Sequence, residues 1–579
     1  MKASVRIGSY GAMWGDTTLS APQLLKGGNI DYLVADYLAE LTLAIMANQK
    51  MKNPEAGYAT DFVKTMGKHL PEILSKKVKV VVNAGGLNVE SCRKALLGVA
   101  KAQKLDVKIG VVLGDDLSGR TEELQGCTEM FTGAAFPPMV LSANAYLGAF
   151  PIAEALRAGC DIVVTGRVVD SALVLGPLIH EFGWGPDDLD KLSQGTLAGH
   201  LVECGAQGTG GLFTDWQAVD SWVNIGFPIV DVSPGGEFIL TKPPNTDGLV
   251  CPASAAEQLL YEIHDPGAYH VPDVACDWTS VRIEQVAQDS VRVTGARGLP
   301  PTDTYKCICT YPHGFKFVSI GTVVGHEARG KAQRVGNTLL TRWQKIVKEN
   351  GHDDFSESRV EVLGGDFEVT LRISVKHSNR KALEPLTREC AAASVSMAQG
   401  GMVGPGSVSP VVSAFLLLKK KKEVASYIDI GNGPVACEVK TNGGFVESAS
   451  ARVVAVKPEA PTGPTVKTKL RALCWARSGD KADAANIGLI ARRPEFLPVL
   501  RHQVTPERVR MFFQPDCHGH VDRFDLPGIS AMNFLLHDTL GGGGSSSLHA
   551  DPLAKCYGQR LLEMEIEAPA AWSLGNSKL

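Results

Sequence analysis

The first third of the chain alternates short apolar, β-branched runs with glycine-rich turns and helical stretches. Runs that are apolar throughout and alternate with helices are typical of parallel strands covered on both faces. We therefore predict an α/β fold whose N-terminal domain, residues 1–250, holds a mostly parallel sheet with helices on both faces. The four runs span residues 5–7, 78–82, 107–113 and 161–164.

The pattern changes over residues 251–456. Segments 281–286 and 367–373 alternate apolar and polar residues, as half-buried strands do. One helix is predicted near residues 326–349. We expect a second, α+β lobe here.

A boundary follows this lobe. Residues 457–464 hold three prolines and a glycine, so they cannot continue a helix or a central strand. We predict a linker over 457–466, then a small α+β domain over 467–568 that ends in a strand at 562–567.

The last segment, 569–579, is predicted to be a tail that ends in Ser577, Lys578 and Leu579. A terminal Ser-Lys-Leu is a receptor-read address for the peroxisome matrix. The sequence therefore predicts a peroxisomal or glycosomal protein with the import receptor as a partner.

Composition narrows the class of protein. The 579 residues carry a net charge of −4 and are 44% hydrophobic, which excludes disorder of the whole chain. Lys and Arg number 58 against 62 Asp and Glu, so we expect no nucleic-acid partner. Thirteen scattered cysteines are typical of reduced thiols. We expect no membrane span and a homo-oligomer.

Polar residues stand at or just after the predicted strand ends. Because parallel strands end at one edge of a sheet, these residues are expected to share a rim. Carboxylates there can act as general acids or bases, and a guanidinium suits a substrate carboxylate or phosphate. The alternative is that they cap helices and pair structurally. The candidates are Asp16, Asn83, Asp115, Arg167 and Asp170.

One turn adds candidate backbone donors. The amides of Gly85 and Gly86, with Asn88 beside them, are candidates to hold an oxyanion such as a thioester enolate. Tight-turn geometry is the alternative reading of these glycines. The turns lack the GxGxxG and GxxxxGK[ST] patterns, which disfavours a dinucleotide-dependent redox reaction.

A second candidate group lies on a predicted helix end. His200 and Cys204 are four residues apart and share a helix face, a spacing that permits an activated thiolate. A small cysteine packed at a helix end is the reading we favour. Glu203 and Gln207 are similarly placed and are candidates for catalysis and substrate binding.

Metal motifs are weak. Cys307 and Cys309 face one side of a predicted strand without a second pair, and residues 517–520 read Cys-His-Gly-His on a polar turn near Asp516 and Asp522. Structural zinc usually has four ligands at recognisable spacing, so we assign no metal. His313 is predicted on a turn, where we count it as a substrate-binding candidate.

The small C-terminal domain offers a glycine turn with charges on both sides. Arg477, Asp480 and Lys481 are candidates to bind the phosphates of CoA. Backbone donors from the Gly/Ser run at 541–547 are a weaker candidate, since such runs are commonly flexible loops.

Taken together, these motifs make the chain resemble the acyclic terpene utilisation (AtuA) family with its fused ferredoxin-like domain. The resemblance covers nearly the whole chain. It implies a role in degrading branched, terpenoid-like carboxylic acids as CoA thioesters, and it supplies no reaction. The motifs are residues 7–11, 83–88, 142–148, 165–170 and 200–207, and, after the linker, 477–481, 485–488 and 540–547.

From residues and resemblance together we expect a hydratase-, lyase- or isomerase-type enzyme acting on a carboxylate or acyl-CoA. Asp16 or Asp115 is the expected base and Arg167 the carboxylate anchor. Two alternatives stay open: a non-catalytic acyl-CoA-binding or assembly subunit, and a thioester hydrolase that depends on Cys204 and His200. CoA is expected only as part of the substrate, and divalent-cation dependence is left open.

Overall fold

A computed structural model describes residues 2–446 and 456–572. The strands of its first half alternate with helices, as the apolar runs predict. The strands are β1 (Val5–Ser9), β2 (Tyr32–Ala35), β3 (Lys79–Val82), β4 (Ile109–Leu113), β5 (Ser142–Ala145), β6 (Ile162–Thr165), β7 (Ile229–Val232), β8 (Phe238–Thr241), β9 (Tyr269–His270), β10 (Ala275–Asp277), β11 (Arg282–Ala287), β12 (Ser290–Thr294) and β13 (Arg297–Leu299). The helices are α1 (Ser20–Gly27), α2 (Glu40–Lys52), α3 (Thr60–Ser75), α4 (Val89–Ala102), α5 (Phe150–Arg157), α6 (Ala172–Phe182), α7 (Leu189–Val202) and α8 (Pro252–Leu259).

The second half of the chain is richer in long antiparallel strands. Up to residue 436 its elements are β14 (Thr304–Val324), α9 (Ala328–Glu349), β15 (Glu357–Gly364), β16 (Glu368–His377), α10 (Arg380–Leu383), α11 (Leu386–Ser396), β17 (Gly401–Val403), β18 (Ser407–Lys420), β19 (Tyr427–Asp429) and β20 (Val435–Ala436). The C-terminal elements are β21 (Thr465–Lys469), β22 (Cys474–Lys481), β23 (Ala484–Ala491), α12 (Leu497–Gln503), α13 (Pro506–Phe512), β24 (Val521–Leu526), β25 (Ala531–Leu536), α14 (Tyr557–Leu561) and β26 (Glu565–Pro569).

The main sheet has eleven strands, and its centre is parallel in the order β1-β2-β3-β6-β4. Successive residues of a strand face opposite sides. Val34 and Val81 accordingly pack into one core with α5, α6 and α7, whereas Leu33 and Val80 pack into another with α1, α3 and α4. This arrangement confirms the predicted α/β class with helices on both faces.

Antiparallel strands extend the main sheet on both edges. β7, β8, β12 and β11 continue it beyond β1, and β19 and β20 continue it beyond β4. Strands from beyond residue 250 therefore belong to the same sheet as β1, while the division of the chain at 250 stays a prediction.

The predicted helix near 326–349 is α9, which packs with α11 on the sheet β15-β16-β14-β17. β14 is 21 residues long, and its first half pairs with β5 and β18. It thereby brings β5, from the N-terminal half of the chain, into the sheet of this lobe.

The C-terminal domain is a four-stranded antiparallel sheet, β22-β23-β25-β24, with a core shared by α12, α13 and α14. A ribbon of β21 and β26 closes it. The predicted last strand at 562–567 begins later, at Glu565. Within residues 2–446 and 456–572, helices of the length and apolarity that a bilayer span requires do not occur.

Candidate active site

The central parallel strands end at one edge of the main sheet, where hydrogen bonds connect the turns that follow them. At the end of β3, the Asn83 amide donates to Asp36 (2.5 Å) and accepts from the backbone N–H of Tyr37 (2.7 Å). Asp36 follows β2. Because both side chains are buried, they fix the segment that leads to Leu38.

Asp115, after β4, is the second anchor of this edge. Its carboxylate accepts from the backbone N–H of Arg167 (2.7 Å) and from the Asn144 amide (2.9 Å). Burial raises the pKa of Asp115 to about 7, and these two hydrogen bonds oppose the shift. The carboxylate thus holds the turn after β6 in place.

Arg167 is buried at the same edge. Its guanidinium donates to the carbonyl of Leu38 (3.3 Å), pairs with Asp170 (2.8 Å) and lies 4.1 Å from the centre of the Tyr146 ring. Burial alone disfavours the charge, but Asp170, Tyr146 and Asp36 raise the pKa of Arg167 above its usual value. We call Asp36, Asn83, Asp115 and Arg167 the sheet-end network.

Four predicted site residues instead support local structure. Asp16 accepts from the backbone N–H groups of Ala12 (3.0 Å) and Thr17 (2.6 Å), which fix its own loop, and the prediction that it is a base at the rim stays a prediction. Asn88 caps α4 through Ser91 and donates to the carbonyls of Pro54 and Ala56.

The backbone amides of the glycine turn after β3 also form hydrogen bonds within the protein. The N–H of Gly85 donates to Thr165 (3.1 Å) and that of Gly86 to Asn83 (3.2 Å). A Cβ on Gly85 would lie 2.6 Å from the Thr165 carbonyl oxygen. Both amides donate to backbone carbonyls at the sheet end, and their service as oxyanion donors stays a prediction.

Several residues from this edge and from the segment after α8 act electrostatically on Lys481 of the C-terminal domain. Burial alone would lower the pKa of Lys481, but the carboxylate charges of Glu262, Asp170 and Glu203, together with the neighbouring Tyr269, raise it. About a third of the side-chain surface is exposed for both Asp170 and Lys481. We call these five residues the interdomain recess.

Glu203 comes directly after α7 and is the most deeply placed carboxylate of the recess. Its Oε1 lies 3.2 Å from Nδ1 of His200. Burial and the Asp170 charge raise the pKa of Glu203, while His200 and Lys481 oppose the shift. The His200 ring is buried beside Tyr269 and Trp278, which fixes its orientation.

Cys204 does not pair with His200. Nδ1 of His200 faces Glu203, and Nε2 lies 3.1 Å from the carbonyl of Leu259. Burial and the charges of Glu203 and Glu262 raise the pKa of the Cys204 thiol well above its usual value. A thiolate nucleophile activated by His200 is therefore disfavoured, and the hydrolase alternative stays a prediction.

The C-terminal domain is held against the recess by buried amides. Asn486 accepts from the backbone N–H of Glu262 (3.0 Å) and donates to the carbonyl of Leu260 (2.7 Å). Asn533 donates to the carbonyls of Ile263 and His264. These bonds fix residues 260–264 on the β23–β25 surface and bring Lys481 to Glu262, 3.9 Å away.

Arg477 serves the same interface. Its guanidinium donates to Gln207 and to the carbonyl of Leu212 (3.3 Å) and stacks 4.4 Å from the Tyr261 ring centre. Both Arg477 and Gln207 are thereby bound to protein groups. These contacts engage both terminal nitrogens of the Arg477 guanidinium within the protein, and the binding of CoA phosphates by Arg477 stays a prediction.

Asp480 borders the recess next to Lys481. Burial and the charges of Glu262 and Glu40 raise its pKa to about 7, against the opposing charges of Lys555 and Lys481. Its carboxyl therefore titrates near neutral pH.

His313 lies away from a turn. It sits within β14, at a register shift between Pro312 and Phe315 where Gly314 has a φ of 84°, and its Nδ1 is 2.9 Å from Ser413 Oγ. Pairing with β18 carries the strand through residues that locally predict a turn. The prediction of a turn is wrong.

The interdomain recess contains residues that the sequence did not single out. Glu262 follows α8 in an irregular segment, Tyr269 begins the two-residue strand β9, and neither belongs to a recognisable motif. Asp36 does follow an apolar run, residues 32–35, of the kind that located Asn83 and Asp115. The same reasoning, applied to residues 32–35, identifies Asp36 as a further candidate.

The fold and site define a two-part α/β protein, with a parallel sheet whose strand ends meet a ferredoxin-like domain. The model of the acyclic terpene utilisation family protein AtuA matches residues 5–430, and that of the AtuA ferredoxin-like domain matches residues 468–567. The chain belongs to the AtuA family, which is implicated in acyclic terpene utilisation.

The other comparisons add little. No curated protein matches the chain. Among solved structures, the de novo designed protein Ferredog-Diesel is 20% identical over 17% of this chain and 88% of its own, with a TM-score of 0.13.

Family membership also corrects the predicted location. The AtuA family is a bacterial terpene-utilisation family, and bacteria have neither peroxisomes nor glycosomes. The peroxisomal or glycosomal location and the import receptor as partner are therefore wrong. Ser577, Lys578 and Leu579 lie outside the described residues.

Proposed function

We propose that this protein is an enzyme that moves a proton at the carbon next to the carbonyl of a branched, terpenoid-like acyl-CoA or acid. Hydratases, lyases and isomerases share this step. The observation that carries the proposal is the interdomain recess, where Asp170 and Glu203 both act on the partly exposed ammonium of Lys481. The family's role in terpene utilisation supports the substrate class.

Glu203 is the proposed general base. A carboxyl whose pKa is raised by burial exchanges protons closer to neutral pH than an ordinary one, which favours general acid–base catalysis. His200 orients Glu203 through the 3.2 Å contact. We assign the role of general base to Glu203 in preference to Asp16 and Asp115, because the oxygens of those two carboxylates already accept hydrogen bonds from backbone N–H groups.

Lys481 is the proposed electrophile. Removal of the proton places negative charge on the carbonyl oxygen, and a fixed cation in a sheltered site stabilises that oxyanion. Asp170 is a positioning residue, because it pairs with Arg167 at 2.8 Å and also acts on Lys481. Arg167 is tied to the Leu38 carbonyl, so we assign it to this support and no longer to a carboxylate anchor.

The test is exchange of the α-proton with solvent. The purified full chain is incubated in D2O with branched and straight acyl-CoA thioesters and the corresponding free acids, and deuterium uptake is followed by mass spectrometry. We expect uptake into a branched substrate and a loss of at least about 100-fold in Glu203→Gln. Glu181→Gln, in a half-buried glutamate that pairs with Lys2, is the matched control and keeps the rate.

Two outcomes contradict the proposal. Stoichiometric binding of an acyl-CoA without any exchange assigns the protein to the non-catalytic binding class. Exchange that persists in Glu203→Gln shows that another group takes the proton.

A further inference from the structure

We propose that His520, Asp522 and His537 bind one divalent transition-metal ion of the Zn²⁺ type at the edge of the C-terminal sheet. This site lies on β24 and at the end of β25, outside the interdomain recess. It uses none of the residues assigned to proton transfer.

The sheet register brings the three side chains to one face. His520 and Asp522 are two residues apart on an extended segment, so they point the same way. His537 follows β25, and its backbone N–H donates to the His520 carbonyl (3.1 Å). Val521 pairs with Leu536 in the same antiparallel ladder, which places His537 directly opposite His520. Residues opposite each other in such a ladder share a face.

The ligand atoms converge on one point. Oδ2 of Asp522 lies 3.3 Å from Nε2 of His520 and 2.9 Å from Nε2 of His537. One ligand atom from each of the three residues lies within 4.8 Å of the others. Ligands about 2.0–2.1 Å from a tetrahedral zinc ion stand roughly 3.3–3.4 Å apart, so rotation of the stacked imidazole rings about their side-chain bonds is needed to aim both Nε2 atoms at one ion.

The donor set selects the kind of ion. Two imidazole nitrogens and one carboxylate oxygen suit Zn²⁺ and neighbouring transition metals, whereas Mg²⁺ and Ca²⁺ prefer oxygen ligands alone. His520 is 70% exposed, which gives the ion an entry path. Three protein ligands leave a further position for water or an added ligand.

The competing account needs no ion. Two imidazole N–H groups that both donate to Asp522 Oδ2 explain the same two distances. The two rings are stacked with centres 4.0 Å apart, and β24 is an edge strand with one neighbour. One ion in place of the two protons links the edge strand to β25, which gives binding a measurable effect on stability.

The sequence pattern pointed to part of this site. Residues 517–520 include His520, but Cys517 is buried in the domain core and His518 lies outside the cluster. The third ligand, His537, is 17 positions beyond His520 and becomes a neighbour only through strand pairing.

The test uses the full chain without a histidine tag, stripped of metal with a chelator. Zn²⁺ is added in competition with a chromophoric chelator, and thermal unfolding is measured with and without the ion. We expect one equivalent bound and a rise in the unfolding temperature. His537→Ala and Asp522→Asn lower the affinity at least about 100-fold, since even loss of a residue that only orients a ligand costs roughly 10–100-fold.

His518→Ala is the matched control, because it removes an exposed imidazole two residues from His520. Cys556→Ser tests the exposed thiol. Both variants retain wild-type affinity and the unfolding shift if the assignment is right. The proposal is overturned if wild type binds no stoichiometric Zn²⁺, if the His520→Ala/His537→Ala double variant still binds it, or if His518→Ala weakens binding as much as His537→Ala.

Discussion

The sheet-end network and the interdomain recess are both built around buried or half-buried carboxylates, yet they use them differently. In the sheet-end network, Asp115 accepts from the Arg167 backbone and Asn144, and Asn83 accepts from the Tyr37 backbone. In the interdomain recess, Glu203 meets His200, and Asp170 and Glu262 act on Lys481. Backbone N–H groups remain hydrogen-bond donors at every pH, whereas the protonation states of charged side chains depend on one another and on a bound ligand.

The difference teaches how to separate a structural carboxylate from a chemical one. A carboxylate that is bound to backbone N–H groups stabilises one conformation of a turn, and its removal leaves donors unpaired. A carboxylate whose neighbours are side chains from two domains has a protonation state that substrate binding can change. Substitutions in the two regions should therefore affect different measurements.

The largest effect is expected for Lys481→Met. Loss of the recess ammonium removes the charge proposed to stabilise the oxyanion, which costs roughly 10²–10³-fold in kcat/KM for α-proton exchange. The D2O exchange assay measures it.

Lys555→Met is the control, because Lys555 also pairs with Glu262, at 3.2 Å, but is absent from the proposed chemistry. We expect it to change the exchange rate much less. Equal losses in the two variants would mean that Glu262 needs any cation and that Lys481 has no special role.

The next largest effect is expected for Asp115→Ala, which tests the sheet-end network. Two buried donors, the Arg167 N–H and the Asn144 amide, lose their acceptor, at a cost of about 3 kcal/mol in the free energy of unfolding. Denaturant unfolding at pH 6 measures it.

Asp116→Ala, at the exposed neighbouring position where the carboxylate accepts from Ser118 N–H, should cost less than about 1 kcal/mol. A smaller loss for Asp115→Ala than for Asp116→Ala would show that the sheet-end network does not depend on the Asp115 carboxylate.

The pH dependence of stability is expected to separate the regions further. The pKa of Asp115 rises from the usual 3.8 to about 7 in the folded protein, so at pH 4–7 the folded chain keeps a proton that the unfolded chain has lost. This contribution is present below pH 4 and is lost as the pH rises towards 7, at no more than about 1.4 kcal/mol per pH unit.

Asp115→Asn removes that titration and retains an acceptor oxygen. The unfolding free energy of the variant, measured at pH 4.5, 5.5 and 6.5, should therefore fall less with rising pH than that of wild type. Parallel curves for the two proteins would contradict the raised pKa of Asp115.

The sequence predicts the frame of the sheet-end network. It also names Asp170, Glu203 and Lys481 of the interdomain recess as candidates, but not Glu262 and Tyr269, and it does not predict that the five residues lie together. Apolar runs located β1, β3, β4 and β6, and parallel strands have to end at one edge, so Asn83, Asp115 and Arg167 do meet. The backbone groups that their side chains contact, such as the Arg167 N–H for Asp115 and the Leu38 carbonyl for Arg167, lie 52 and 129 positions away. Residue type alone therefore does not tell a turn anchor from a base.

The interdomain recess depends on docking, which local patterns do not record. Lys481 reaches Glu262 because Asn486 and Asn533 hold residues 260–264. The motif around Arg477 is recognisable in the sequence and predicts a phosphate site. The actual partners of its guanidinium, Gln207 and Tyr261, come from distant segments that the local pattern does not reveal. Long-range pairing overrode local signals in β14 as well.

The smallest effect is expected for Asp16→Asn, and it sharpens the boundary between the two classes of carboxylate. The carboxylate of Asp16 accepts from the Ala12 and Thr17 N–H groups of its own loop, and the asparagine amide oxygen retains one of these bonds. We expect about 1 kcal/mol in unfolding free energy and an exchange rate within about twofold of wild type, as for substitutions away from a site. The D2O assay and denaturant unfolding measure both. A hundredfold loss of exchange with unchanged stability would place Asp16 in the chemistry and show that backbone hydrogen bonds do not mark a carboxylate as structural.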